Sequence, residues 1–420
     1  MVVSRRELLW RGALGLTGST LWTSGWLDSL AVPALALGGD PATQGARPLL
    51  VVILLRGGAD GLHMVPPVGD PDYPVARGGL RLTQSLHFTS DFGLHPALEP
   101  VSELVRQGHL AVVPAAGIPT VTRSHFEAQD LMEWGAPGDR RVGDGWLTRA
   151  LARCGDSNPF ALLALTSQLP LVLRGSGAFA INDPSHFGLV GLSDPARREL
   201  EVLYDADGAD AVSVMGRRAL AALTSFEALH GRRSLSGTSR TQQRLRRFPR
   251  PRGMGTLHAG ARRLIALEGA GIPVEAVVLE SARWDTHAGQ GTEQGAMASS
   301  IADLGEALAA LFDALPHRAL RVVALTEFGR TVAPNGAGGT DHGHASAVLV
   351  AAKDVKGGVH GTWPGLAQGD LFEGRDLAMT TDTRSVLAAV LDAHLGARLP
   401  EQTFPGFTPE PLALFPERRG

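Results

Sequence analysis

Aspartate and histidine side chains recur in short polar turns, each close to a run of apolar residues. Asp285 and His287 are two positions apart, so both side chains point to one side of an extended segment. Asp341, His342 and His344 add potential ligands beside glycines, which allow close approach. Carboxylates and imidazoles together favour zinc, manganese or iron, whereas calcium and magnesium prefer oxygen ligands. The pattern predicts a divalent metal site.

The same residues also have a purely structural interpretation. Aspartate and histidine beside glycine cap helices and shape turns without binding anything. Taken one at a time, these residues fit that role, so the metal hypothesis depends on several turns coming together. Three more turns carry polar residues of this kind: Arg56–Gly61, Thr122–Glu127 and Glu327–Thr331.

Other types of active site fit the sequence less well. The segment Gly57–Gly61 is rich in glycine but matches neither the dinucleotide-binding motif nor the phosphate-binding P-loop. A G-x-S-x-G nucleophile motif is absent from the sequence. Ser124 and His125 are neighbours whose side chains diverge, which disfavours a local Ser–His pair. Either residue remains able to act with a distant partner.

Apolar runs alternate with amphipathic ones along the chain, which is typical of a mostly parallel sheet covered by helices on both faces. The carboxyl ends of such strands form the ligand crevice, so we expect the polar turns to converge there. The predicted strands are Leu49–Leu55, Leu110–Ala115, Phe160–Leu165, Val274–Glu280, Leu320–Thr326 and Ser346–Ala352. The predicted helices are Pro96–Gln107, Ala209–His230, Thr256–Glu268, Gln294–Leu315 and Thr383–Leu395.

The N-terminus has the features of an export signal. Arg5 and Arg6 precede a moderately apolar stretch, and Ala34–Ala36 gives a small-x-small cleavage site. An amphipathic first helix is the alternative. Glycines and polar residues interrupt the apolar stretch, so we expect no stable membrane span. The prediction is a twin-arginine signal over residues 1–36, the twin-arginine translocase as partner, and a periplasmic or secreted protein.

Composition sets limits on the rest of the chain. With 420 residues and 44% hydrophobic content, it can bury a large core, which we assign to a single domain over residues 37–420. The net charge of −3 gives no overall attraction to nucleic acid. The lone cysteine, Cys154, cannot form an intramolecular disulfide. A basic segment near residues 231–257 is either an arm that binds polyanions or a solvated loop.

Several blocks together resemble the bacterial "domain of unknown function 1501" proteins, whose members commonly carry twin-arginine signals and whose biochemical function is largely unassigned. These blocks follow one another along the whole of the chain after the signal. They are Leu54–Leu62, Gly93–Leu98, Thr122–Asp130, Trp284–Ala288, Glu327–Thr331, Gly339–His344 and Lys356–Gly361.

That family is in turn similar to the alkaline phosphatase and sulfatase superfamily. The resemblance implies a three-layer α/β/α sandwich with a two-metal site that grips a phosphate or sulfate ester. Asp60 then resembles the metal carboxylate after the first strand, and Ser124 the alcohol nucleophile. Asp285 with His287 resembles an Asp-x-x-x-His metal pair at shorter spacing. His342 or His344 resembles the last metal histidine.

Departures from the superfamily pattern temper that expectation. Glu327 and Phe328 stand where the superfamily has Asp-His, and phenylalanine cannot bind a metal, so one ion site should be weakened, rebuilt from Asp341, or absent. The C-x-P-x-R sulfatase signature is missing from the sequence.

The hypothesis is an exported metal-dependent hydrolase of small-molecule or polymer esters of phosphate or sulfate type. Arg56, Arg123 or Arg330 would stabilise the developing charge. Glu327 should have a cationic partner, which is the metal, as its ligand, or else Arg330 or Arg56. The alternative is a non-catalytic binding protein on the same fold.

Overall fold

The structure, a computed structural model, describes residues 48–417 apart from 137–142, 152–157, 159, 176, 185–192, 206–210 and 233–254. The proposed signal over residues 1–36 lies outside the described residues, as do Cys154 and most of the basic segment.

The described strands build one large mixed sheet and one small ribbon. The large sheet has the order β10-β4-β9-β8-β1-β7-β5-β6, with β11 paired to β4, while β2 and β3 form the ribbon. The strands are β1 (Pro48–Leu55), β2 (Leu86–His87), β3 (Gly93–Leu94), β4 (Leu110–Gly117), β5 (Leu162–Ala164), β6 (Phe179–Ala180), β7 (Ala276–Ser281), β8 (Ala319–Leu325), β9 (Ser346–Ala352), β10 (Gly358–Val359) and β11 (Thr381–Asp382).

The direction of β9 determines which chain ends meet at the sheet edge. In the large sheet, β9 runs antiparallel to both of its neighbours, β4 and β8, and the other described pairs are parallel. Ser346, the first residue of β9, pairs with Ala116 near the carboxyl end of β4. The turn that precedes β9 therefore reaches the same edge as the turns that follow β1, β4, β7 and β8.

Helices cover the sheet on both faces. They are α1 (Gly61–Met64), α2 (Tyr73–Arg77), α3 (Ser102–Arg106), α4 (His125–Trp134), α5 (Trp146–Ala150), α6 (Asp194–Asp205), α7 (Ala211–Arg232), α8 (Thr256–Gly269), α9 (Ala296–Ala314) and α10 (Thr383–Leu395). Four 3-10 turns, residues 78–80, 96–101, 171–173 and 401–403, complete the described helical structure. None of the helices the structure describes is long and apolar enough to cross a membrane.

The central strand β1 is buried along nearly its whole length because it packs on both sides. Its odd-numbered residues from Leu49 to Leu55 join a core with apolar residues of α8 and α9. The even-numbered residues from Leu50 to Leu54 join a second core with residues of α4, α5 and α10. The continuous apolar run in the sequence thus reflects a strand with helices above and below it.

The predicted α/β class with a large, mostly parallel sheet is confirmed. The predicted strand Ser346–Ala352 and the predicted helix Thr383–Leu395 have the observed bounds. The predicted helix Pro96–Gln107 is instead a 3-10 segment followed by α3. Pro100 lies inside that region and lacks the N–H donor that a continuous α-helix needs. The antiparallel direction of β9 was not predicted.

Candidate metal centre

Three polar turns and one helix start meet at the carboxyl edge of the sheet. Asp285 follows β7, Glu327 follows β8, and His342 precedes β9. His125 is the first residue of α4, the helix that comes after β4. The expected convergence of the strand-end turns is therefore found for these four elements.

The centre of this cluster is the carboxylate of Asp285. The potential ligand atoms of His125, Asp285 and His342 all lie within 4.8 Å of one another. The Nε2 atom of His342 is 3.3 Å from Asp285 Oδ1, and that of His125 is 3.4 Å from Asp285 Oδ2. The Nε2 atom of His287 also approaches, at 3.0 Å from Asp285 Oδ1. Three imidazole nitrogens thus surround one carboxylate.

The opposite nitrogen of each ring faces a hydrogen-bond acceptor. His125 Nδ1 lies 2.8 Å from Glu327 Oε1, and His287 Nδ1 lies 3.2 Å from Asp341 Oδ1. His342 Nδ1 lies 2.7 Å from the carbonyl oxygen of Arg123. Since these partners only accept, each Nδ1 carries a hydrogen and donates it. Metal-binding histidines are commonly held in this way, because the outer hydrogen bond fixes the ring and its tautomer.

This arrangement of the rings fits a cation. With the hydrogens on Nδ1, the Nε2 atoms of neutral His287 and His342 present lone pairs to each other at 2.9 Å. Two lone pairs at that distance repel, and a bound cation or an extra proton removes the repulsion. Histidine nitrogens with a carboxylate are also the donor set that zinc, iron and manganese accept. His125, Asp285, His287 and His342 would hold such an ion.

Solvent reaches the cluster from one side. The side chains of Asp285 and His287 are 42% and 45% exposed, whereas that of Glu327 is fully buried. The centre is therefore closed towards the sheet and open towards solvent. A small molecule could therefore reach an ion held there from the solvent side.

The carboxylate of Glu327 accepts several hydrogen bonds inside the protein, and these favour its ionised form. Oε1 accepts from Gly57 N at 2.8 Å, from Gln129 Nε2 at 2.9 Å and from His125. Burial opposes ionisation, but these hydrogen bonds hold the pKa of Glu327 below its ordinary value. The hydrogen bond between Glu327 and His125 also raises the pKa of His125. The partner of Glu327 is thus the His125 imidazole, which donates a hydrogen bond to it, while the hydrogen bonds of Arg330 and Arg56 go to other groups.

Phe328 forms an apolar floor beneath two of the histidines. Its ring centroid is 4.9 Å from that of His125 and 4.9 Å from that of His342. Burial lowers the pKa of His342, which favours the neutral ring that a metal requires. Phe328 itself cannot bind an ion, but it packs against the rings of His125 and His342, which can.

The three candidate arginines are held by other groups. Arg56 pairs with Glu133 and Glu280. Arg123 pairs with Glu373 and Asp376, both at 2.6 Å. Their predicted contact with a substrate is therefore in competition with existing ion pairs.

Arg330 is fully buried and acts within the protein. Its guanidinium donates to the carbonyl oxygens of Gly57, Gly58 and Thr340, and it also pairs with Asp285. Burial tends to raise the pKa of Asp285, but the Arg330 guanidinium outweighs this and holds it below the ordinary value. Arg330 therefore orients the central carboxylate rather than facing solvent.

Asp60 and His344 lie outside the cluster. The Asp60 carboxylate is buried and pairs with Arg77 at 2.5 Å, and it also caps α1 through His63 N. Burial lowers the pKa of His344, whose Nε2 is 3.3 Å from the carbonyl oxygen of Ile118. Both residues were predicted as ligands, and the structure places them in these contacts, apart from the cluster.

Ser124 lies beside the cluster, immediately before His125. Its side chain makes no capping hydrogen bond to α4, and the residue is exposed. Ser124 is thus accessible to solvent.

His125 is the cluster residue that was not included in the predicted ligand set. The diverging side chains of two neighbours argued against a local Ser–His pair, and that argument said nothing about partners from other strands. Helix α4 was not predicted either. A helix that starts at residue 125, at the carboxyl edge of the sheet, would have placed its first side chain towards the ligand crevice.

The fold and the site together define a mixed α/β protein with a candidate metal cluster at the carboxyl edge of its sheet. The chain matches the family model described as "Protein of unknown function (DUF1501)" over residues 112–401. This match covers more than half of the chain, so the protein belongs to that family, as the sequence blocks predicted. A search of curated proteins gives no match.

Proposed function

We propose that the protein is an exported, metal-dependent hydrolase of phosphate- or sulfate-type esters, on a fold like that of alkaline phosphatase. The observation that carries this proposal is the convergence of three imidazoles on the exposed carboxylate of Asp285. A divalent ion of zinc, manganese or iron type, when bound there, supplies Lewis-acid polarisation of the ester oxygen.

The protein groups have distinct tasks in this proposal. His125, His287 and His342 bind the ion with Asp285, while Glu327, Asp341 and the Arg123 carbonyl hold the rings. Arg330 keeps the central carboxylate ionised and in place. The buried side excludes water, and the ester enters from the side where Asp285 is exposed.

The hydroxyl of Ser124 is the proposed nucleophile. Its oxygen bonds to the phosphorus or sulfur atom while the bond to the alcohol oxygen breaks, and the alcohol leaves with the proton of the serine. Water then cleaves the serine ester, which restores the hydroxyl and releases phosphate or sulfate. One water is consumed in each turnover.

Elemental analysis of protein purified without a histidine tag tests the metal site. We expect about one ion per chain in the wild type, and a clear loss in His342→Ala because that ring contributes an Nε2 donor. His360→Ala is the matched control, since His360 is a partly exposed histidine outside the cluster that contacts the Lys356 carbonyl. Metal content below about one-tenth of an ion per wild-type chain after reconstitution would refute the proposal.

A non-catalytic binding protein is the second candidate, and one observation favours it. The arginines expected to stabilise an anionic transition state, Arg56, Arg123 and Arg330, already pair with carboxylates. An enzyme should hydrolyse an aryl phosphate, a phosphodiester or an aryl sulfate once the ion is loaded. Stoichiometric metal without turnover of any of these would favour the binding protein.

A further inference from the structure

One buried side chain connects two of the loops that supply the cluster, the loop of Asp285 and His287 and the loop of His342. Gln290 is fully buried, and its Oε1 accepts hydrogen bonds from the hydroxyls of Thr286 at 3.0 Å and Thr340 at 2.7 Å. Its Nε2 donates to Asp60 Oδ2 at 2.7 Å. This amide therefore connects three separate turns of the chain.

Each threonine stands next to proposed ligands. Thr286 lies between Asp285 and His287 in the sequence, and its hydroxyl ties that turn to the buried Gln290 side chain through a hydrogen bond. A shift of this hydroxyl moves the backbone of both neighbours.

The second loop is anchored in the same way. Thr340 is fully buried and precedes Asp341 and His342, which orient or form part of the cluster. Its backbone N–H also donates to the carbonyl oxygen of Thr286 at 3.1 Å. Backbone bonds from Gly289 N to Ala337 O at 3.0 Å and from Gln290 N to Gly338 O at 2.9 Å join the same loops farther from the ligands. The two hydroxyls and the Thr340 N–H bond connect the loops next to the ligand residues themselves.

The orientation of the Gln290 amide follows from its partners. The Asp60 carboxylate only accepts, so the amide nitrogen must face it, and the oxygen then faces the two hydroxyls. Arg77 holds the same Asp60 oxygen from the other side at 2.5 Å. The amide is thus fixed at both ends within the protein interior.

We propose that Gln290 is a positioning residue that sets the distance between the loop of Asp285 and His287 and the loop of His342. It does not touch the ion, and it determines the coordination geometry through Thr286 and Thr340. This inference rests on the proposed metal site and adds a residue to it. Buried polar networks of this kind can hold one arrangement only when every member has its partner.

Cobalt(II) titration of the intact protein tests the inference, because the visible absorption of Co²⁺ reports coordination geometry directly. We expect Gln290→Leu to bind Co²⁺ about tenfold more weakly and with a changed visible spectrum, since outer partners of metal ligands contribute that much or more. A loss of stability alone would move neither the band position nor the intensity at saturation.

Asn158→Leu provides the control for general destabilisation. Asn158 is a buried amide before β5, where its side chain binds the Pro273 carbonyl at 2.5 Å and the Phe160 N–H at 3.0 Å, away from the carboxyl edge. It should lower the melting temperature and leave the Co²⁺ spectrum unchanged. If Gln290→Leu does not fold, Thr286→Val and Thr340→Val each remove one hydroxyl and should shift the spectrum separately.

The outcomes distinguish this inference from the proposed function. Wild-type protein that binds Co²⁺ while Gln290→Leu and both threonine variants keep its affinity and spectrum would overturn the role of Gln290 alone. Wild-type protein that binds no Co²⁺ would overturn the metal site and the role of Gln290 together.

Discussion

Replacing Glu327 by glutamine isolates the charge behind the cluster. A glutamine oxygen can accept the hydrogen bonds that Gly57, Gln129 and His125 now give to Oε1. Its amide nitrogen can donate to Thr326 Oγ1, which lies 3.0 Å from Oε2. The Thr326 hydroxyl hydrogen then serves the Leu55 carbonyl at 2.7 Å. Glu327→Gln should therefore keep the shape and lose only the charge.

The expected effect on metal affinity is 10- to 100-fold, or about 1.4 to 2.7 kcal/mol. Glu327 raises the pKa of His125 through their hydrogen bond, so a neutral amide makes that ring a weaker ligand. The free energy of unfolding without metal should change by about 1 kcal/mol or less. Charge-assisted hydrogen bonds are lost, but a neutral amide also costs less to bury than a carboxylate.

Isothermal titration with Zn²⁺, together with urea unfolding of the metal-free protein, measures both quantities. Glu268→Gln is the matched control, because Glu268 is a buried acid paired with Arg318 rather than with a histidine of the cluster. It should lower stability and keep metal affinity. Unchanged Zn²⁺ affinity in Glu327→Gln, with folding intact, would refute the idea that Glu327 acts on the ion through His125.

Four further predictions follow from other parts of the chain. Burial lowers the pKa of His394 to about 4, below the value of about 6.5 in the unfolded chain. The contribution of the neutral ring to the free energy of unfolding is therefore fully present above about pH 6.5, and about 3 kcal/mol of it is lost as the pH falls towards 4. Urea unfolding of His394→Leu should lack that part of the loss. Arg330→Lys should cost about 3 kcal/mol or more in the same assay, because lysine cannot serve the carbonyls that the guanidinium reaches. Ser124→Ala should abolish aryl phosphate turnover with metal content unchanged; equal activity would assign the attack to water. Replacing Arg5 and Arg6 by lysines should leave full-length precursor in the cytoplasm on immunoblots, and normal export would contradict the signal.

The central strands and long helices were predictable because burial leaves a direct trace in the sequence. A strand covered on both faces must be continuously apolar, as Leu49–Leu55 is, and a helix such as α9 repeats its apolar residues at helical spacing. Strand direction leaves no such trace. The run Ser346–Ala352 would be equally apolar in either direction, so the antiparallel pairing of β9 became visible only in three dimensions.

The site was partly predictable for a related reason. Asp285, His287 and His342 stand beside apolar runs, and their turns were expected to meet. Sequence patterns do not reveal which polar residues satisfy one another inside the protein. Asp60 is an example: its position in the sequence made it a plausible ligand, and the structure shows that its carboxylate pairs with Arg77.

The pairing of Asp60 with Arg77 bears on how many ions the site can hold. Asp285 also pairs with an arginine, but its side chain is 42% exposed, whereas that of Asp60 is buried and both of its oxygens are bound, Oδ1 by His63 N and Oδ2 by Arg77 and Gln290. At Asp60 the Arg77 guanidinium, at 2.5 Å, already supplies the positive charge that an ion would bring. Displacing it would leave a fully buried arginine without its carboxylate, a cost of about 3 to 5 kcal/mol for a broken buried pair. Gln290 holds the same carboxylate oxygen, so an ion there would also disturb the connection between the ligand loops. For the proposed metal site, charge and packing therefore favour a single ion at Asp285, because the carboxylate of Asp60 is already bound by Arg77.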